Sequence, residues 1–220
     1  MTRIIESPTE RTTAATDALI TAISLRYAAE LLGRRRGHPW KAGIWAGAFG
    51  AMGLAGALGV AVHGLDLSPR RREILWRPLN LALGVTVALF AAGAVGDLLG
   101  ERVARRALPG LILSAGGFYL ASERLQRGFV IFIIYEAAAM LFALGAYARL
   151  AQSGRLAGAQ QMAAGVLLSI IAAAVQSSSL ELTCCGIPLD HNGLFHIVQI
   201  AGLPLLTAGL RAALDSPPES

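Results

Sequence analysis

Long apolar runs separated by short arginine-rich stretches constrain this chain more than any other feature. Arg34-Arg35-Arg36, Arg70-Arg71-Arg72 and the cluster from Arg102 to Arg106 punctuate segments close to the ~20 residues a helix needs to cross hydrocarbon. Reading the runs between charge, Gly and Pro predicts seven spans: Thr13 to Leu32, Ala42 to His63, Pro78 to Leu99, Leu108 to Ser122, Phe129 to Leu150, Gln160 to Leu180 and Asn192 to Leu214. The expected fold is an all-α membrane protein, a seven-transmembrane helix bundle over residues 13–214 with a polar N-terminal tail (1–12) and a short C-terminal tail (215–220). The fourth span is the weakest, because Pro109, Gly110, Gly116 and Gly117 interrupt a short run.

Charge distribution excludes several classes of function. Only 15% of residues are charged against 55% hydrophobic, where a soluble domain carries about 25% charged residues. The net charge of +5 is membrane-flanking arginine. No basic stripe with interleaved aromatics exists to bind nucleic acid. The N-terminus is no cleavable signal, since Arg3, Glu6, Glu10 and Arg11 precede an apolar run broken by Asp17 and Arg26. Arginine outnumbers lysine 18 to 1, a usage that fits a GC-rich bacterial genome and places the chain in a bacterial inner membrane. Counting Lys and Arg loop by loop puts the C-terminus on the cytoplasmic side.

Gly43, Gly47, Gly50, Gly53, Gly56 and Gly59 fall within the second span. Small residues at this spacing let helix backbones approach closely, which predicts a central place for that helix.

Threading the spans alternately through a bilayer gathers the intramembrane polar residues at one end. Asp17 begins span 1, His63 ends span 2, Asn80 begins span 3, Glu136 lies two turns into span 5, and Gln176 with Ser177 to Ser179 ends span 6. Asp190, His191, Asn192, His196 and Gln199 open span 7. Such groups are expensive in hydrocarbon and mark function by default. Each also has a structural reading: Asp17 as a helix-start acid, Asp190 or Asn192 as an N-cap, the histidines as interhelical hydrogen-bond partners. Glu136 has the poorest such reading, since a carboxylate at that depth needs a partner or a wet pocket, and it is expected to face the interior toward helix 2, 3 or 7.

A histidine ending span 2, a polar residue opening span 3 and the segment Asn192-Gly193-Leu194-Phe195-His196-Ile197-Val198 resemble the CREST superfamily of seven-helix membrane proteins, which includes alkaline ceramidases and the adiponectin and progestin receptors. The resemblance implies a zinc ion held by one histidine of helix 2 and two of helix 7, with a water attacking a lipid amide. Only His63 and His196 carry over directly. The supporting serine falls on Gly59, the helix 3 aspartate on Asn80, and the first helix 7 histidine on Asn192, with His191 one place early.

Two functions follow as expectations. One is a zinc-dependent hydrolase of a lipid or lipid-like amide or ester. Its metal ligands are His63, His191 and His196, with Glu136 or Asp190 as general base, Asn80 in support, and Asp17, Gln176 and Asn192 lining the pocket. The other is a channel, transporter or sensor in which Asp17, Glu136 and the histidines pass a proton or ion. A retinal receptor is excluded because the single lysine, Lys41, lies opposite the polar end. Adjacent Cys184 and Cys185 are either small loop residues or thiolates for a softer ion such as Cu(I).

Overall fold

The structure, a computed structural model, describes residues 3–125 and 128–216; residues 217–220 of the expected tail lie outside them. Seven helices occur among the described residues: α1 (Pro8–Gly33), α2 (Pro39–Gly64), α3 (Pro69–Leu99), α4 (Glu101–Arg124), α5 (Gly128–Ser153), α6 (Ala159–Gln176) and α7 (His191–Asp215). Two small antiparallel pairs accompany them, β1 (Arg3–Ile4) with β2 (Leu65–Asp66) and the hairpin β3 (Leu182–Cys184) with β4 (Ile187–Leu189). The fold is all-α, and α2, α3, α5 from Val130, α6 and α7 are long and apolar enough to cross a membrane. In α1, Glu10, Arg11, Asp17, Arg26 and Glu30 interrupt the apolar surface, and α4 has only 16 uncharged residues between Arg106 and Glu123.

Four helices differ markedly in extent from the sequence expectation, among them α4, which starts at Glu101, seven residues before the expected Leu108. The segment Ser7-Pro8-Thr9-Glu10 starts α1 before residue 13: Ser7 is the N-cap, its Oγ accepting from Glu10 N at 3.4 Å, and Pro8 needs no hydrogen-bond partner in the first turn. Nine residues of α3 precede Pro78, which sits inside the helix. At the other boundary α6 stops at Gln176, where the Ser177 and Ser178 hydroxyls donate back to Ala173 O and Val175 O.

The helices pack in a closed circuit, α1 to α2 to α3 to α5 to α6 to α7 and back to α1, with α4 lying against α3 and α5. Glycines set the closest approaches. Along α2, a Cβ at Gly53 would meet Leu25, at Gly56 the Thr21 hydroxyl, and at Gly59 the Asp17 carboxylate, so one face of α2 is a groove for α1. Gly47 turns to Leu89 of α3, whereas Gly43 and Gly50 face open space. Helix α2 is therefore a member of the circuit held between α1 and α3. The middle of the bundle is apolar, filled by Trp45, Phe49, Phe90, Met140, Val166, Leu203 and Leu206.

Candidate functional site: a carboxylate and imidazole seam

The inward face of α1 carries Thr13, Thr16, Asp17, Ile20, Ser24, Ala28 and Leu31, all buried. The spacing is that of one helical face, polar toward the N-terminal end and apolar toward the other. Because α1 and α2 run antiparallel, the polar half lies beside the last turns of α2 and, across the circuit, the first turns of α7.

Two carboxylate and imidazole pairs form there. Nearer the end, Glu10 Oε2 lies 2.7 Å from His63 Nδ1, and Trp76 of α3 meets the His63 ring edge to face at 5.7 Å. Deeper, two turns along α1, Asp17 Oδ1 lies 3.4 Å from His196 Nε2, both residues buried. The other nitrogen of that ring, Nδ1, lies 2.8 Å from Thr16 Oγ1. Between the levels, Asp190 caps α7 by accepting from Gly193 N at 2.9 Å and also accepts from Thr13 Oγ1 at 3.2 Å. Asp190 is thus the helix cap that the sequence allowed, and its second bond ties α7 to α1.

The contacts of Thr16 link the His196 tautomer to the position of one hydroxyl hydrogen. Thr16 Oγ1 has one hydrogen and three acceptors in reach, Thr12 O at 3.2 Å, Thr13 O at 2.8 Å and His196 Nδ1 at 2.8 Å: given to a carbonyl, it leaves Nδ1 to donate to Thr16, and given to Nδ1, it puts the ring hydrogen on Nε2. In the second case the Nε2 hydrogen faces Asp17; in the first, a neutral imidazole turns a bare lone pair at Nε2 toward it. A bare lone pair against a carboxylate oxygen is repulsive. In either arrangement one proton belongs between Asp17 and His196, on the carboxyl or on Nε2. Asp17 Oδ2 is buried with no hydrogen-bond partner among the described residues. It packs against Gly59, where a Cβ would come within 2.5 Å. Gly59, the position matched to a serine in the family resemblance, serves here as the notch that admits the carboxylate. Replacing Thr16 by valine is expected to free the His196 tautomer without unfolding the bundle, checked by the imidazole nitrogen shifts in NMR.

The remaining residues singled out in the sequence are less engaged. Asn80, Gln176, His191 and Asn192 are half-buried, and none makes a side-chain hydrogen bond among the described residues. Glu136 continues the inward stripe of α5 formed by Met140, Ala143 and Tyr147, one turn beyond Met140 toward the polar end. It has no hydrogen-bonded or ionic partner among the described residues. Replacement of Glu136 by Gln, which keeps the shape and removes the ionisable group, is expected to leave thermal stability within about 1 kcal/mol of the parent, as its lack of a partner requires.

A zinc site here would need three of these side chains around one point. His63 faces Glu10, His196 faces Thr16 and Asp17, and among the described residues no three His, Cys, Asp or Glu side chains converge as a metal-holding group. The three-histidine set implied by the resemblance is not assembled, so no step is derived through a metal here.

Sequence reasoning left Glu10 in the tail and did not single out Thr13 or Thr16. The Ser-Pro-Thr-Glu start signal would have put Glu10 on the helix two turns before Asp17.

Fold and seam together define a helical protein of the integral-membrane type, with a buried acid and base cluster at one end. Residues 12–215 match the model of a family of unknown function, DUF6962, and the chain belongs to that family. No curated protein and no solved structure matches it.

Proposed function

We propose that the protein is a seven-span inner-membrane protein whose elementary event is the exchange of a proton between Asp17 and His196, in the service of proton-linked transport or sensing. The carrying observation is the Asp17 to His196 contact, with the other nitrogen of the ring bonded to Thr16. Both partners are buried, so gain or loss of the shared proton changes the charge of a site with little water to compensate. Such a change alters the packing preference of α1 against α7. Glu10 and His63, more exposed and 2.7 Å apart, relay the proton between the seam and water. The apolar middle of the bundle supports a site reached from one end over an open channel.

The reading is tested on purified protein in lipid by pH-difference infrared spectroscopy. The expected result is a protonated-carboxyl band that disappears in Asp17→Asn and shifts in His196→Gln, with Asp190→Asn leaving it in place. The same band unchanged in Asp17→Asn would overturn the proposal. So would stoichiometric zinc lost on His196→Ala together with hydrolysis of a lipid-like amide or ester, which would restore the hydrolase reading. Proton uptake by proteoliposomes then separates transport from sensing.

A further inference from the structure

We infer that Cys184 and Cys185 form a binding site for a single thiophilic monovalent ion, Cu(I), at the tip of the β3 and β4 hairpin. The site is separate from the Asp17 and His196 pair and does not depend on the proton reading.

The hairpin pairs Cys184 with Ile187, leaving Cys185-Gly186 as a two-residue turn. Their φ angles are +51° and +80°, the left-handed pattern of a type I′ turn. Asn or Gly normally occupies the first of those positions, and a cysteine held there resists the ordinary preference of an L side chain. The conformation brings the two free, exposed thiols to a sulfur separation of 4.0 Å.

That separation discriminates between the two things an adjacent pair can do. Consecutive α-carbons are 3.8 Å apart, below the usual 4.4–6.8 Å span of a disulfide, so closing the sulfurs on each other means deforming the turn. Two metal–sulfur bonds of about 2.3 Å, the zinc–thiolate length, span about 3.8 Å at a tetrahedral angle and about 4.6 Å when linear. At 4.0 Å two such bonds meet at an angle of about 120°, and the linear arrangement of a two-coordinate ion needs about 0.6 Å more, which rotation of the two exposed thiols can supply with the turn as it is. The ligand set selects the ion. Zinc takes four ligands, and among the described residues no third His, Cys, Asp or Glu joins the pair. Two soft thiolates with low coordination favour Cu(I). Binding balances as one Cu(I) and two thiols giving a copper bis-thiolate and two protons, with no change of oxidation state.

The hairpin is anchored, since Leu189 of β4 is buried and Asp190 follows as the α7 cap bonded to Thr13.

The test uses the full chain in detergent, reduced and then freed of reductant without oxygen. It is titrated with Cu(I) against a chromophoric Cu(I) chelator. One Cu(I) per chain is expected to leave the chelator, with both cysteines protected from maleimide. Cys184→Ser and Cys185→Ser should each weaken binding by more than the roughly 10–100-fold that loss of an outer-shell partner costs. Cys185→Gly, which keeps the turn, should do the same, and His191→Ala should have no effect. Equal copper uptake by Cys184→Ser/Cys185→Ser, failure of the parent chain to compete with the chelator, or zinc bound as tightly as Cu(I) would each overturn the assignment.

Discussion

Lys41→Met is expected to destabilise the bundle by about 2–3 kcal/mol, toward the lower end of the cost of breaking a buried ion pair by removing one partner, because Lys41 is half-buried. Lys41 Nζ lies 2.6 Å from Asp97 Oδ1, with side-chain exposures of 16% and 3%. Tyr147 OH donates to Asp97 Oδ2 at 2.8 Å. Asp97 sits in the last turn of α3 and Lys41 in the first turn of α2, so each charge lies at the end of its helix that disfavours it. They compensate each other, and without the lysine Asp97 keeps only a neutral donor at an unfavourable helix end. The double change Lys41→Met/Asp97→Leu should recover most of the loss, because apolar replacement of a whole buried pair is often neutral. Denaturation in detergent measures both. A single variant as stable as the parent, or a double variant no better than the single, would count against the account.

The second large effect is expected at Gly209→Ala, with a loss of about 3 kcal/mol or more, at or above the usual upper range for overpacking. A Cβ there would lie 2.7 Å from Gly158 O and 3.0 Å from Met162 N. Both are backbone atoms, and Gly158 O already accepts from Met162 N to close the first turn of α6. Relief therefore requires moving a helix or opening that turn. The like-for-like control is Gly43→Ala, where nothing lies within 4 Å and alanine should match or slightly exceed the parent, by up to about 1 kcal/mol from helix propensity. Side-by-side thermal unfolding decides, and equal stability of the two variants would refute the close-approach argument.

Lys41 stood out in the sequence without its role, and Gly209 did not stand out at all. Lys41 was legible only as a lysine too far from the polar end to hold retinal; that it neutralises Asp97 depends on helices α2, α3 and α5 meeting. The glycines were legible as places of close packing, yet Gly43 and Gly50 face open space while Gly53, Gly56 and Gly59 receive α1, a difference set by the rotation of α2.

Hydropathy is a local property, so apolar runs of the length that crosses a bilayer, the all-α class and the capping of α7 by Asp190 could be read from consecutive residues. The gathering of Asp17, His63, Asp190 and His196 at one end also followed from the sequence, since alternating helices must return their polar turns to the same side. Which carboxylate meets which imidazole could not, because it depends on the rotation and register of helices far apart in the chain. A rotation of one residue, about 100° on a helix, would replace Asp17 with Thr16 or Ala18 against Gly59. Tertiary packing alone gave Glu10 to His63 and Asp17 to His196, the second through the space that the missing Cβ of Gly59 leaves on α2.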